Sequence, residues 1–295
     1  MIVVFGSINL DLVARVPRIP APGETIAGRT LATLPGGKGA NQALAARAAG
    51  ASVSMYGAVG TDTFATAALA NLRAAGVALD GVATLAAPTG VALINVADDG
   101  ENAITVIPGA NALVRADTVP DTLLTRGVTL LMQLEVPVAE VASLASRAHA
   151  RGASVVLNAA PAVRLPEAIL SAVDVLVVNE SEAAAYAAAW QMPTSPAAFV
   201  AAATERLGLG AVVTLGARGA IAASAGGVVS VSPPKIAVVD TTGAGDAFAG
   251  ALAAALDRGA TVDEALAAGV AAGALACTHA GAQRRPAGAA QPRTP

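Results

Sequence analysis

The chain has 295 residues, of which 55% are hydrophobic and 13% charged, and its formal net charge is −3. This length suits one large α/β domain or two modest ones, and the slight acidity argues against nucleic acid as the main partner. The alanine-rich apolar content and the single cysteine, Cys277, favour a cytoplasmic protein with no membrane span and no internal disulfide.

Strand-like and helix-like segments alternate along most of the chain. Residues 2–8 form an apolar run that predicts a buried first strand, and no basic segment precedes it to suggest a signal peptide. Residues 36–50 open with glycines and end at Gly50, which predicts a loop entering a helix with a glycine C-cap. The further predicted strands are 52–60, 128–135, 154–161, 173–180 and 211–216, with a hairpin at 220–232. The further predicted helices are 63–76, 138–152, 180–190 and 197–208, followed by two alanine-rich helices. This alternation predicts an α/β fold with a mostly parallel sheet flanked by helices on both faces.

Two segments interrupt that pattern. Residues 12–34 and 82–108 resemble short strands joined by turns, with residues 97–102 as a hairpin tip. We expect them to form a small antiparallel β-sheet lid over one end of the large sheet. Residues 284–295 are rich in Pro, Ala and Gly, so we expect a disordered tail after a single domain spanning 1–283.

A glycine loop late in the chain carries an acid at a helix start. In "DTTGAGDAFAG", residues 240–250, Gly243 and Gly245 precede Asp246 and an apolar run. A helix N-terminus attracts anions, and glycines let the backbone approach a phosphate closely. An acid there can act as general base toward a hydroxyl that attacks the phosphate. The alternative is that Asp246 is a helix N-cap and the glycines form a tight turn.

An early glycine loop, "PGGKGANQA" at residues 35–43, carries Lys38 and Asn41 at a second predicted helix start. It lacks the spacing of a Walker A loop, and the late loop lacks the third glycine of a dinucleotide fingerprint. By itself the early loop is better explained as a structural turn.

Together the two loops resemble those of the phosphofructokinase-B (PfkB) carbohydrate kinases. Further stretches match the family in order: "GSINLD" (6–11), "PGET" (22–25), "GAN" (109–111), "LLMQLE" (130–135), "LNAAP" (157–161), "VNESE" (178–182), "TLGARG" (214–219) and "GAQ" (281–283). The resemblance implies an ATP-dependent sugar kinase with a Rossmann-like domain and a β-sheet lid. Because the edge of a small lid sheet needs cover, we expect a homodimer that pairs lid with lid.

The resemblance also implies roles for particular residues. The catalytic centre is Asp246 as base, with an anion hole formed by Gly243, Ala244 and Gly245. The sugar-binding residues are Asn9, Asp11, Gly37, Lys38, Gly39, Asn41, Glu135 and Asp246. Simpler explanations exist for three of them: a turn acid for Asp11, a solvated cation for Lys38 and a loop-entry acid for Glu135.

On the nucleotide side the resemblance implies Asn179, Glu182, Thr214, Gly216, Gly219, Gly245 and Val270. Asn179 and Glu182 would help to position Mg²⁺ and phosphate, largely through water, although Glu182 also suits the first turn of a helix.

The family relationship further implies a monovalent cation, usually K⁺, beside the anion hole. The matching positions are Asp240, Thr242, Ala276, His279 and Gly281, most of them acting through backbone carbonyls. Arg285 stands where the family has a small hydroxyl residue, and an arginine offers no acceptor. We therefore expect K⁺ to activate, but with weak apparent affinity.

The expected acceptor is D-ribose, phosphorylated on its 5-hydroxyl. Neither 12–34 nor 90–108 contains an aromatic residue on which a nucleoside base would stack. Deoxyribose, fructose or adenosine as the acceptor remain alternatives, as does a non-catalytic sugar-binding regulator.

Overall fold

A computed structural model describes residues 1–224 and 226–283, so the predicted tail lies outside the described residues. Within them, β-branched apolar runs form strands and alanine-rich stretches form helices. The strands are β1 Ile2–Phe5, β2 Asn9–Val16, β3 Thr30–Gly36, β4 Val53–Gly60, β5 Ala78–Leu85, β6 Gly90–Ala97, β7 Asn102–Ile107, β8 Thr129–Met132, β9 Ser154–Asn158, β10 Val175–Asn179, β11 Gly210–Thr214, β12 Ala220–Ser224 and β13 Gly227–Val231. The α-helices are α1 Lys38–Ala48, α2 Phe64–Ala68, α3 Ala70–Ala74, α4 Val138–Ala150, α5 Glu180–Trp190, α6 Pro196–Leu207, α7 Ala244–Asp257 and α8 Val262–Ala276.

The large sheet has nine strands in the order β13-β12-β11-β10-β9-β8-β1-β4-β5. Every neighbouring pair from β11 to β5 is parallel, whereas β12 and β13 add an antiparallel hairpin at one edge. The predicted mostly parallel sheet is therefore confirmed. The strand order reverses at β1, with β4 on one side and β8 on the other. Open α/β sheets bind ligands at such a switch point, at the carboxyl ends of the strands.

Helices cover the large sheet on both faces. In β1, Ile2 and Val4 belong to one apolar cluster while Val3 and Phe5 belong to the other, because successive side chains point to opposite faces. All four side chains are fully buried. Residues of α1, α7 and α8 complete the first cluster, and residues of α4, α5 and α6 complete the second. This two-sided burial explains the uninterrupted apolar runs of the central strands.

Four strands form the small sheet, in the order β3-β2-β6-β7. It consists of two antiparallel hairpins, β2-β3 and β6-β7, joined by a parallel pairing of β2 with β6. The predicted turn at 97–102 connects β6 to β7 and contains Gly100 with φ of 90°. The predicted lid boundary at residue 82 is too early, because 82–85 belong to β5, which pairs with β4 in the large sheet. An edge strand of a large sheet and a strand of a small sheet share the same half-buried alternation, so the sequence pattern did not separate them.

Helices α1 and α7 cross in close contact. A methyl group at Gly250 of α7 would lie 2.5 Å from the carbonyl oxygen of Gln42 and 2.6 Å from the Cβ of Ala45, so only glycine permits this approach. Asp246 lies one helical turn before Gly250. The crossing therefore brings the first turn of α7 against the first turn of α1.

Helix α8 packs against α7. Its residues Ala265, Leu266 and Val270 are buried in the core. Across 1–224 and 226–283, no helix is both long and apolar enough to cross a bilayer.

Candidate active site

Polar residues collect at the carboxyl edge of the large sheet. Ser7 follows β1, Glu135 follows β8, and Asn158, Asn179 and Thr214 end β9, β10 and β11. Because these strands are parallel neighbours, their ends meet at one edge, where a cavity of about 220 Å³ opens. The predicted site residues that line this cavity are Lys38, Asn179, Glu182, Thr214, Gly243, Gly245 and Asp246.

Asp246 lies in the first turn of α7, but it is not the N-cap. The N-cap is Gly243, and no side chain caps this helix. The simpler explanation of Asp246 as a capping residue is therefore wrong. Its side chain is 7% exposed, and its two oxygens accept hydrogen bonds from Asn41 Nδ2 at 2.8 Å and Gln42 Nε2 at 2.9 Å. A buried carboxylate held by two neutral donors is well suited to accept a proton.

The glycine loop before Asp246 has a shape that only glycine allows. Gly243 has φ of 75°, and a methyl group there would lie 2.6 Å from the Cα of Ala282. The N–H of Ala244 donates to Thr241 O at 3.2 Å. Within the part of the chain that the structure describes, the N–H groups of Gly245 and Asp246 have no protein acceptor, as is usual for a first helical turn. These two groups, rather than that of Ala244, can bind an anion.

Two further carboxylates, both predicted to bind sugar, lie in the same cluster as Asp246. The carboxylate of Asp11 lies over Gly36 of β3, and burial, with Glu135 and Asp246 nearby, raises the pKa of Asp11 to about 7. Glu135 Oε2 accepts from Ser7 Oγ at 2.6 Å and from the backbone N–H of Lys38 at 3.0 Å. Ser7 and Lys38 thus hold Glu135 in place at the site, where acceptors for sugar hydroxyls are expected.

Lys38 is half-buried among acids. Burial acts to lower the pKa of its ammonium group, but Asp246, Glu135 and Glu182 outweigh that effect and raise it. A lysine that lines a cavity among three carboxylates is not a solvated loop cation, so that explanation is wrong. The charge persists at all physiological pH values and is available to a phosphoryl group.

Two predicted sugar-binding asparagines have protein partners. Asn9 is 3% exposed and its Oδ1 accepts from Asn111 Nδ2 at 2.7 Å. Asn41 is 8% exposed; besides donating to Asp246, its Oδ1 accepts from Gln283 Nε2 at 2.9 Å. The glycines of the same loop are tightly packed: a methyl group at Gly37 would lie 2.7 Å from the Asn9 nitrogen, and one at Gly39 would lie 2.6 Å from the Gly6 carbonyl carbon. These close contacts fix the loop against Gly6 and Asn9.

The part of the cavity that is predicted to bind the nucleotide lies at the start of α5. Asn179 and Glu182 form a capping box, in which Asn179 Oδ1 accepts from Glu182 N and Glu182 Oε2 accepts from Asn179 N, both at 2.8 Å. Glu182 also lines the cavity, so its role as a first-turn acid and its place in the site coexist. Burial raises the pKa of Glu182, opposed by the Asn179 hydrogen bond and by Lys38.

Three other residues that were predicted to bind the nucleotide do not line the cavity. Gly216 is exposed after β11, with φ of 57°. Gly219 has φ of 91°, and a methyl group there would lie 1.9 Å from Val231 O, so the turn into β12 requires glycine. Val270 is 6% exposed, belongs to an apolar cluster and does not line the cavity.

The residues predicted to hold a monovalent cation lie on two adjoining segments. Asp240 Oδ1 accepts from Thr242 N and Thr242 Oγ1, and Asp240 Oδ2 accepts from Gly281 N at 2.8 Å. Burial acts to raise the pKa of Asp240, but these hydrogen bonds outweigh it and lower the pKa, so the carboxylate stays charged. A carboxylate offers about four lone pairs, so one remains on Oδ2 as a hard oxygen ligand, which fits K⁺.

Of the other predicted cation-binding residues, Thr242 is exposed, whereas Ala276, His279 and Gly281 are half-buried. Arg285 is outside the described residues. The His279 N–H donates to Ala276 O at 3.2 Å. Among the described residues, no group of three or more His, Cys, Asp or Glu side chains converges on one point, so a cation here depends on backbone carbonyls.

Sequence reasoning missed several polar residues of the site. They are Ser7, Gln42, Asn111, Gln133, Asn158 and Gln283, and all lie in stretches that matched the family. The available signal was an uncharged polar residue inside an otherwise apolar run, as in "LLMQLE" and "LNAAP". Such a residue must be hydrogen-bonded when buried.

Comparisons with known proteins show which family the whole chain resembles. A family model described as pfkB family carbohydrate kinase matches residues 1–287. A ribokinase from Haemophilus influenzae is 36% identical over 284 residues, which cover 95% of this chain and 93% of the relative. A ribokinase from Schizosaccharomyces pombe is 39% identical over 281 residues, covering 90% of this chain and 88% of the relative.

The fold has close counterparts among solved structures. That of Arabidopsis thaliana ribokinase complexed with ribose and ATP has a TM-score of 0.85 and 32% identity, covering 95% of this chain and 93% of the other. A ribokinase from Thermotoga maritima gives a TM-score of 0.87 and 32% identity, covering 96% and 94%. Both the family model and these relatives extend over nearly the whole chain, and the chain belongs to the pfkB family of carbohydrate kinases.

Proposed function

We propose that this protein transfers the γ-phosphoryl group of ATP to the 5-hydroxyl of D-ribose, giving ribose 5-phosphate and ADP. The observation that carries the proposal is the buried carboxylate of Asp246 at the start of α7. It lies between the sugar-side acids Asp11 and Glu135 and the glycine loop. The relatives named ribokinase, one of them complexed with ribose and ATP, support ribose as the acceptor.

The chemistry requires a base and an in-line approach. The 5-hydroxyl gives its proton to the Asp246 carboxylate while its oxygen forms a bond to the γ-phosphorus. The bond from that phosphorus to the bridging oxygen breaks, and its electron pair leaves with ADP. A base already fixed by Asn41 and Gln42 need not reorganise during the reaction.

Charge develops on the transferred phosphoryl oxygens. We infer that the N–H groups of Gly245 and Asp246 and the ammonium of Lys38 stabilise that charge. Mg²⁺, bound with ATP, would further neutralise the phosphates, and Asn179 and Glu182 at the cavity wall are suited to hold it through water. Asp240 and the carbonyls around Gly281 would hold K⁺ next to the glycine loop.

The small sheet would act as the lid. Closed over the sugar, it would exclude water and so limit hydrolysis of ATP. Several of its large apolar side chains are exposed: Leu31, Leu34, Leu93, Ile104, Val106 and Ile107. An exposed sheet that carries apolar side chains favours association. We propose that a second copy of the chain covers them in a homodimer.

One observation favours a larger acceptor as a second candidate. A cavity of about 360 Å³ beside Glu135 is walled mainly by apolar residues, among them Val106, Leu134 and Val136. An acceptor with an apolar group attached to the sugar, such as a nucleoside, would place that group there. None of the described residues that line this cavity is aromatic, so they offer no stacking surface.

A panel assay separates these candidates. Ribose, deoxyribose, fructose and adenosine would each be incubated with ATP and Mg²⁺, ADP release measured, and the phosphorylated position identified by ³¹P and ¹³C NMR. The proposal expects the highest kcat/KM for ribose and phosphate on the 5-oxygen. A higher kcat/KM for adenosine would replace it with the second candidate. ADP release in no case would favour a non-catalytic sugar-binding protein.

A further inference from the structure

The carboxylate of Asp246 is held by two amides from one helix. Asn41 donates to Oδ2 and Gln42 donates to Oδ1. The two donors are consecutive residues in the first turn of α1, and Gln42 is fully buried. The close crossing of α1 and α7 at Gly250 makes both contacts possible.

Each of these two amides accepts a hydrogen bond from another side-chain amide. Gln283 Nε2 donates to Asn41 Oδ1 at 2.9 Å, and Gln133 Nε2 donates to Gln42 Oε1 at 2.7 Å. A side-chain amide whose oxygen is already occupied by a donor can present only its NH₂ group to its next partner. Both relays therefore end with an NH₂ group directed at Asp246.

A backbone carbonyl determines the direction of one relay. Asn158 Nδ2 donates to Val177 O at 3.0 Å, so its Oδ1 must face Gln42, which donates to it at 2.9 Å. Gln42 is thereby committed to presenting its NH₂ group, independently of Asp246. Among the described residues, Gln133 Oε1 is a buried side-chain atom that has no partner. If the Gln133 amide were rotated by 180°, its Oε1 would face Gln42 Oε1, and two acceptors would meet with no hydrogen between them. The hydrogen bond to Gln42 therefore requires the orientation that leaves Gln133 Oε1 unpaired.

We propose that Gln42 and Gln283 are positioning residues for Asp246. Through two one-way amide relays they hold its carboxylate in one orientation, which leaves its remaining lone pairs for the acceptor hydroxyl. A hydrogen bond donated to a carboxylate favours its charged form, so a broken relay favours the protonated form. The inference rests on the proposed role of Asp246 as the base.

Gln283 is the position at which to test this. It is half-buried and does not line the cavity. Its Nε2 donates to Asn41, through which it is linked to Asp246, and its Oε1 accepts from Asn71 Nδ2 at 3.0 Å. Gln283→Met removes the donor at similar length. Gln283→Glu keeps the shape but, when ionised, cannot donate to Asn41. The native charged groups around Asp246 are the same in both variants: Lys38 on α1, Asp11 on β2, Glu182 on α5 and Glu135 after β8. Gln283→Glu adds one carboxylate behind Asn41, whereas Gln283→Met adds no charge.

Both variants lose the hydrogen bond to the Asn41 amide, and Gln283→Met also loses the one donated by Asn71. They are expected to lower kcat by up to about tenfold, the effect of one hydrogen bond, and to move the acid limb of the kcat/KM pH profile upward. The KM for ATP stays within about twofold. Thr204→Val is the matched control, since it removes one partly buried side-chain hydrogen bond, from Thr204 to Ala223 O at 3.1 Å, away from the cavity. It is expected to leave the pH profile unchanged. A loss of Tm in the Gln283 variants with an unmoved pH profile would mean a purely structural role and overturn the proposal.

A readout independent of turnover separates this inference from the proposed function. The ¹³C resonance of the Asp246 carboxyl, assigned by its absence in Asp246→Asn, is titrated in wild type, Gln283→Met and Gln133→Met. Its titration midpoint is expected to rise in both variants, and unchanged midpoints would overturn the relays. If Asp246→Asn keeps wild-type kcat, the base assignment fails, while the NMR titration still decides whether the relays hold this carboxylate.

Discussion

The carboxylate of Asp11 lies directly against Gly36 on the neighbouring strand. A methyl group at Gly36 would come within 2.3 Å of both carboxylate oxygens. Asp11 lies on β2 and Gly36 lies on β3, which pair in the small sheet. The position of the Asp11 carboxylate therefore depends on the absence of a side chain at Gly36.

Gly36→Ala is therefore expected to displace Asp11 and weaken ribose binding. Loss of one charge-assisted hydrogen-bond acceptor corresponds to an increase of about tenfold or more in the KM for ribose, with kcat within about threefold. Steady-state kinetics against ribose would measure both. Gly28→Ala serves as the control, because a methyl group there meets its nearest atom at an ordinary 3.4 Å. An unchanged KM in Gly36→Ala would show that Asp11 does not bind the sugar.

The pKa of Asp11, about 7, predicts a pH dependence of ribose binding. An ionised carboxylate only accepts hydrogen bonds, whereas the protonated form places a donor where sugar hydroxyls need an acceptor. As pH falls through 7, the free protein takes up a proton that must leave before ribose binds. The apparent Kd for ribose is thus expected to rise, by about tenfold per pH unit well below 7. Calorimetry from pH 8 to pH 5.5 would measure it, and Asp11→Asn should flatten the curve. A wild-type Kd that does not vary over this range would contradict the prediction.

Replacing the proposed base should affect the chemical step selectively. Asp246→Asn keeps the shape of the side chain and is expected to lower kcat by roughly 10²–10⁴-fold. Ribose and ATP affinities should change little, as checked by calorimetry on the variant. A kcat near that of wild type would place the base elsewhere.

Gly243 combines positive φ with a close contact, and these two contributions can be separated. Gly243→Ala adds left-handed strain of about 1–2 kcal/mol and also places a methyl group 2.6 Å from the Cα of Ala282. Gly259 also has positive φ, 81°, but has open space around it, so Gly259→Ala should add the strain alone. We expect both variants to lose stability in denaturant unfolding, Gly243→Ala more so, and only Gly243→Ala to lose most of its kcat. If Gly243→Ala keeps its kcat and loses no more stability than Gly259→Ala, the glycine loop tolerates displacement.

Monovalent cation dependence tests the proposed K⁺ site. Asp240→Asn removes a charged oxygen ligand and is expected to raise the K⁺ concentration for half-activation about tenfold. Arg285→Ser should lower that concentration, since it removes a positive charge and supplies a hydroxyl acceptor. Both are measured as phosphorylation rate against KCl at constant ionic strength. Full activity of wild type without any monovalent cation would rule the site out.

The sequence by itself determined the succession of strands and helices, the two glycine loops and the acid at the start of α7. These features are local: apolar runs, alanine-rich stretches and glycines before an acid each act over a few neighbouring residues. It also determined the family, because the matching stretches occur in order along nearly the whole chain. The boundary of the second lid segment was misplaced for the same reason, since residues 82–85 have no local feature that separates the edge of one sheet from another.

Only the tertiary structure decided what surrounds Asp246. Asn41, expected to contact sugar, donates a hydrogen bond to Asp246, and neither Gln42 nor Gln283 gave a local signal. Gln133 stood out only as a polar residue in an apolar run, which does not identify its partner. The partners in these hydrogen bonds lie as far as 242 positions apart in the chain. Neutral amides have no period or spacing that reveals their partners. Their contacts exist because α1 and α7 cross closely at Gly250 and because buried amides must find hydrogen bonds, a condition that only the assembled core can meet.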